Sequence, residues 1–206
     1  MARNGILTVV RAASVALVLV AIVAQAVVLV GEGAFNPTRY FAFFTIQSNL
    51  IGVAALAATA VTPAPRPRWL EWLRGAAVVY LTVTFIVVIA LLQGVDVGLQ
   101  LLWVDFALHK LMPLIVVADF VLDPPRTRLS TRDALLWLVF PLIWLAYTLI
   151  RGPIAGWYPY PFLDPAHGGY GPVAVTSLVI VVAGAVLSLA VAWLGNRLTA
   201  RRDARG

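Results

Sequence analysis

Six apolar runs divide the chain, each near the ~20 residues an α-helix needs to cross a bilayer. They cover about Ile6–Val30, Phe41–Val61, Gly75–Leu92, Leu102–Leu122, Ala134–Ile150 and Val173–Leu194. The joints between them are too short to fold as water-soluble domains. The pattern therefore predicts an all-α, polytopic membrane protein, with residues 1–206 forming one domain that is a bundle of six transmembrane helices. Ala24-Gln25-Ala26 mimics the small-residue cleavage site of a secretory leader. The apolar run continues past it to Val30, longer than a leader's core, and this favours a retained span.

Composition agrees: 62% of residues are hydrophobic and 12% charged, against about a quarter charged in soluble domains. Mean hydropathy is +0.93. The chain has no Cys, which excludes disulfide frameworks, Cys-ligated zinc and iron–sulfur clusters. No haem, metal or other cofactor is expected, and the excess of basic residues predicts topology rather than nucleic-acid binding. Arg3 and Arg11 open the chain; Arg66, Arg68 and Arg74 follow run two; Arg126, Arg128 and Arg132 follow run four; Arg197, Arg201, Arg202 and Arg205 close it. The remaining joints carry only Arg39 and Arg151. By the positive-inside rule both termini are cytoplasmic, in a multi-pass protein of the plasma (cytoplasmic) membrane.

Two runs are too polar to be plain lipid-facing spans. Run two holds Thr45, Gln47, Ser48 and Asn49 within five positions, and Thr45, Ser48 and Asn49 share one helical face. Run four holds Asp105, His109, Lys110 and Asp119. Ionisable groups at membrane depth are costly and mark function by default. Asp105 and His109 are spaced i, i+4, so the carboxylate can hold one imidazole nitrogen and leave the other free. Pro113 removes the amide that would bond the His109 carbonyl, which predicts a break beside the imidazole. Thr45 lies about one helical turn and His109 about two turns below the outer surface, so both fall in the outer third of the bilayer and contact between them is permitted.

These residues define a candidate hydrolytic pair, with Thr45 as nucleophile and His109 as base. Asp105 is the candidate orienting group, and Gln47 and Asn49 are candidate oxyanion donors. The same residues also fit interhelical hydrogen bonding without catalysis. A proton or small-solute path through Asp105, Lys110 and Asp119, a lipid-binding subunit, and a zinc site from Asp105, His109 and His167 are further readings. Arg11 is expected to snorkel to the inner interface and Asp119 to sit there as a cap. Between runs five and six, Gly152–Pro172 is rich in Pro, Gly and aromatic residues. It fits either an interfacial aromatic belt or a lid over an outward-facing pocket. In the lid reading, Tyr158, Tyr160 and Asp164 bind substrate, with Arg39 and Arg151 receiving a carboxylate end.

Four features in order carry a resemblance: Phe44-Thr45 with its polar turn, His109 followed by Pro113, Trp137 to Tyr147 enclosing Pro141, and Trp157-Tyr-Pro-Tyr-Pro-Phe-Leu-Asp164. Together they resemble the androgen-induced-protein-one-like six-span membrane proteins, most closely the bacterial branch called Pr-six-Pr membrane proteins. The resemblance runs from run two through run six. Eukaryotic members are intramembrane threonine hydrolases of fatty acid esters of hydroxy fatty acids. The likeness implies Thr45 and His109 as the essential pair and matches the Tyr160–Asp164 segment. The spacing from His to Pro is one residue shorter here.

Overall fold

The computed structural model describes residues 2–94 and 101–204, with side chains from residue 5 onward. Arg205 and the side chain of Arg3, both used in the charge pattern above, lie outside the described residues. The described chain is helical throughout, with no strand among the described residues. In order come α1 (Ala2–Gly31), the short α2 (Pro37–Tyr40), α3 (Phe44–Val61), α4 (Arg68–Leu91), α5 (Leu102–Phe106), a π-turn (Ala107–Leu111), α6 (Met112–Leu122), α7 (Thr131–Leu136), α8 (Val139–Ala155) and α9 (Tyr170–Asp203). Two 3₁₀ turns, Pro161–Leu163 and Pro165–His167, lie between α8 and α9.

Among the described residues five segments are long and apolar enough to cross a membrane: Gly5–Gly31, Phe44–Val61, Arg68–Leu91, Thr131–Ala155 and Tyr170–Asp203. The stretch 102–122 is helical from end to end but changes register twice, from α to π and back. Run two differs from its expected bounds, since Phe41–Phe43 precede the helix and Thr45 falls in its first turn. Run five extends beyond Ile150, through Gly152 and Pro153 to Ala155. It ends at Gly156, whose left-handed backbone (φ 59°) only glycine adopts without strain.

Two prolines set the internal breaks. Pro141 cannot donate the amide that would bond the Trp137 carbonyl, and α7 gives way to α8 there. The Tyr80 hydroxyl of α4 donates to that carbonyl instead, at 2.7 Å. Trp137 fills the space beside α4, its indole donating to the Trp72 carbonyl at 3.1 Å. A Cβ on Gly75 would overlap the Trp137 ring, so glycine is what lets α4 approach.

At the end of the bundle opposite Thr45, six charged side chains form one network. Arg11 of α1 binds Asp119 (2.6 Å) and Asp123 (2.7 Å). Arg66 binds Asp123 at 2.6 Å, and Arg74 binds Glu71 (2.7 Å) and Asp119 (3.0 Å). Three cations match three anions, which offsets the cost of burying them. Arg11 was expected to snorkel. It is 4% exposed, because α6 and its cap bring two carboxylates to it. Asp119 is likewise an ion-pair partner rather than a simple helix cap.

Burial raises the Asp123 carboxyl, but hydrogen bonds from Arg66 and Arg11 and the charge of Arg74 outweigh it, holding the group down at about 2 instead of 3.8. The folded state thus binds this proton less readily than the unfolded chain. The stabilisation is present above pH ~4 and is lost as pH falls toward ~2. Thermal unfolding of detergent-purified protein should show Asp123→Asn melting lower than wild type at pH 7. The gap should narrow between pH 4 and pH 2.

Candidate active site

The first turn of α3 builds the site. Phe43, in extended backbone, precedes the helix and makes no side-chain cap, so the early amides of α3 have no helical acceptor. The Thr45 amide donates to the Tyr160 hydroxyl at 3.2 Å, from a loop 115 residues away in sequence. Three rings hold Tyr160: Phe43 and Trp144 at centroid distances of 5.6 and 6.0 Å, and Phe162 stacked at 5.3 Å. Phe44 faces the other way, against Tyr80, Phe140 and Trp144. The aromatic pair before Thr45 thus packs on two sides of one aromatic cluster, with Trp144 touching both Phe44 and Tyr160.

The π-turn supplies the histidine. In it, the Met112 amide bonds the Ala107 carbonyl, five residues back. That register shifts the effect of Pro113 by one position: the amide it lacks is the one that would have served the Leu108 carbonyl. Asn49 of α3 takes its place, donating Nδ2 to the Leu108 carbonyl at 3.1 Å and to the Thr45 carbonyl at 2.9 Å. Ser48 also reaches the Thr45 carbonyl (3.1 Å) and stands 3.1 Å from the Thr84 hydroxyl. The polar stripe on α3 fastens the backbone on which Thr45 sits to the turn that carries His109.

Across that joint Thr45 Oγ1 lies 3.0 Å from His109 Nε2, and His109 Nδ1 lies 2.8 Å from Asp105 Oδ1. Thr45 and His109 are buried, at 5% and 4% exposure. A carboxylate only accepts hydrogen bonds, so Nδ1 carries the proton and Nε2 offers its lone pair to the threonine hydroxyl. Asp105 Oδ2 is 3.4 Å from the Lys110 ammonium. Asp105 thus both orients His109 and pairs with Lys110, one oxygen for each. The arrangement can accept a proton from a hydroxyl nucleophile and hold the resulting imidazolium.

The other expected site residues fall in different places. Asn49 is not an oxyanion donor, since both bonds of its amide nitrogen go to backbone carbonyls. Gln47 is not one either; its Nε2 turns away to the Phe41 carbonyl at 2.8 Å. Arg39 and Arg151 both lie over the Trp157 ring, at 5.5 and 5.6 Å, and Arg151 donates to Thr38. Arg39, Tyr158, Asp164 and His167 line an outer cavity, which Arg151 does not. Asp164 caps the turn at Ala166, and a Cβ on Gly152 would overlap the Tyr158 ring. His167 pairs with Asp164 at 3.8 Å. Among the described residues no three His, Asp or Glu side chains converge as metal ligands. Asp119 belongs to the ion network, about 20 Å from Asp105 along the helix. The role the sequence missed is that of Tyr160. Its segment is aromatic and Pro-rich, but no local spacing ties it to α3.

Two apolar spaces meet at Thr45 and Tyr160. One, a narrow cleft, runs between α4, α8 and α9 past Val83, Val87, Leu142 and Gly184. It exists because α8 touches the bundle mainly through Phe140 and Trp144, with only Thr148 and Gly152 buried along its length. The other holds His109, Leu108 and Gln25, and shares Leu29, Tyr40 and Phe43 with the outer cavity.

Fold and site together define an all-helical protein with several membrane-length helices and a buried hydroxyl–imidazole pair joined to a partly exposed carboxylate. Compared with protein-family models, curated proteins and solved structures, the chain matches none. Replacing Asn49 by Leu should cost about 1–3 kcal/mol of unfolding free energy, because two buried carbonyls lose their donor. Gln47→Leu, near the surface, should change it by less than about 0.5 kcal/mol. Denaturant titration of both variants in detergent checks the contrast.

Proposed function

We propose that this protein is an intramembrane hydrolase of lipid-like carboxylic esters, with Thr45 as nucleophile, His109 as base and Asp105 orienting the imidazole. The observation that carries the reading is the unbroken chain from Thr45 Oγ1 to His109 Nε2 (3.0 Å) and from His109 Nδ1 to Asp105 Oδ1 (2.8 Å). A threonine hydroxyl is inert at its own pKa, and an adjacent base is what it needs. Thr45 oxygen bonds to the acyl carbon while its proton passes to Nε2. The tetrahedral intermediate collapses as the ester C–O bond breaks, and Nε2 returns the proton to the departing alkoxide. Water, deprotonated by the same nitrogen, then releases the carboxylic acid and restores Thr45.

The substrate class rests on the space around Thr45. The cleft between α4, α8 and α9 suits an acyl chain arriving sideways from lipid, and the outer cavity beside Arg39 suits the polar end. The resemblance to the six-span threonine hydrolases points the same way. In this reading the composite helix 102–122, about 31 Å long at 1.5 Å per residue, is the sixth span. The arginine-bearing joints and both termini face the cytoplasm, and the site opens toward the outer leaflet of a bacterial plasma membrane.

The test is labelling of the detergent-purified protein with a fluorophosphonate. Wild type should react, Thr45→Ala and His109→Ala should not, and Asp105→Asn should react about 10²–10⁴-fold more slowly. A folded wild-type protein that takes no label would overturn the reading. It would leave the polar chain as helix packing or part of a solute path.

A further inference from the structure

Tyr160 places a hydroxyl against the nucleophile without belonging to the Thr45–His109–Asp105 chain. Its Oη is 3.2 Å from the Thr45 amide nitrogen and 3.2 Å from Thr45 Oγ1. A phenol has one hydrogen to donate and two lone pairs to accept with. The amide N–H of Thr45 occupies one lone pair, which turns the single hydrogen toward Thr45 Oγ1. Oγ1 in turn donates to His109 Nε2, so every hydrogen at the site has one consistent direction. Once Oγ1 is bonded to an acyl carbon, the acyl oxygen is two bonds from Oγ1 and enters the space the phenol hydrogen faces.

We propose that the Tyr160 hydroxyl is the oxyanion donor of this site and Tyr160 therefore a catalytic residue, an inference that rests on the Thr45 hydrolase reading. Three further observations support it. The polar side chains nearest the joint are committed elsewhere: Asn49 to the carbonyls of Thr45 and Leu108, and Lys110 to Asp105. The phenol is rigid, 6% exposed and stacked on Phe162 with ring planes 3° apart, as a preorganised donor must be. Tyr160 also lines both apolar spaces that meet at Thr45, so a reacting ester bond spanning them passes its hydroxyl. Burial pushes the phenol pKa up, against smaller downward pulls from its contacts with Thr45 and Phe44. The proton is therefore present for donation at neutral pH.

The experiment compares wild type, Thr45→Ala, Tyr160→Phe and Tyr160→3-fluorotyrosine. Two rates are read for each, fluorophosphonate labelling and hydrolysis of a p-nitrophenyl ester, alongside the melting temperature. Phosphonylation also builds negative charge on oxygen, so it reports the same donor. Tyr160→Phe should slow labelling and lower kcat about 10²–10³-fold, with KM little changed and the melting temperature lowered because the buried Thr45 amide loses its acceptor. A Tyr160→Phe protein that labels and turns over at the wild-type rate overturns the proposal and leaves the Thr45 reading standing. If Tyr160→Phe does not fold, the isosteric fluorotyrosine protein decides. A rate whose pH dependence moves with the more acidic phenol supports donation, and a superimposable pH profile overturns it. A folded wild type that neither labels nor turns over, or a Thr45→Ala protein that still does both, overturns the hydrolase reading and this proposal with it.

Discussion

A backbone carbonyl inside an apolar bundle has to find a donor in the protein, and the Leu108 carbonyl is the one on which this site turns. Pro113 denies it the amide it would have had in the π-turn, and Asn49 provides the replacement across the α3 interface. That one bond ties the turn bearing His109 to the helix bearing Thr45. Because the same side-chain nitrogen also holds the Thr45 carbonyl, the backbones that carry the Thr45 hydroxyl and the His109 imidazole are joined by two hydrogen bonds of a single, fully buried amide. The same device recurs at Pro141, where the Tyr80 hydroxyl meets the Trp137 carbonyl and fixes the corner between α7 and α8. A proline beside a polar side chain on a neighbouring helix thus serves as a joint in this fold.

The bundle carries its charges at one end and its hydroxyl–imidazole chain at the other. The arginine–carboxylate network ties α1, α4 and α6 together, with partner distances of 2.6–3.0 Å for its principal pairs. Such a network adds little net stability over apolar packing, but a misplaced helix would leave a charge buried alone, which costs several kcal/mol. It therefore penalises other registers of α1, α4 and α6, the last of which continues the π-turn that carries His109. The loosely packed α8 lies on the other side of the bundle, where its separation from α4 and α9 leaves the apolar cleft that reaches Thr45.

Much of this was legible in the apolar pattern. The long helices follow from run length, and the pairing of Asp105 with His109 follows from i, i+4 spacing. Helix geometry places Thr45 and His109 in the same outer third of the bilayer, which permits the contact they make. The rest depends on partners remote in sequence. The helix α3 starts three residues later than the apolar run because Phe41-Ala-Phe-Phe offers no capping side chain, and the acceptor for the Thr45 amide is the Tyr160 hydroxyl, in a loop more than 100 residues away. Asn49 was assigned to an oxyanion because nothing in its own helix reveals that a proline on α6 has left a carbonyl waiting. Arg11 was assigned to the interface because its two carboxylate partners lie more than 100 residues later. Each miss has the same physical origin: a polar group in an apolar interior is explained by its partner, and the partner is local only by accident.

In the proposed hydrolase, His109 activates one particular hydroxyl among several crowded together, with Ser48, Thr84 and Tyr160 all close by. The most direct measurement is intact-mass and peptide-fragment mass spectrometry of the wild-type protein after reaction with a fluorophosphonate, to locate the phosphonyl group. The account predicts a single adduct, on Thr45. An adduct on Ser48, Thr84 or Tyr160 with Thr45 unmodified would contradict it.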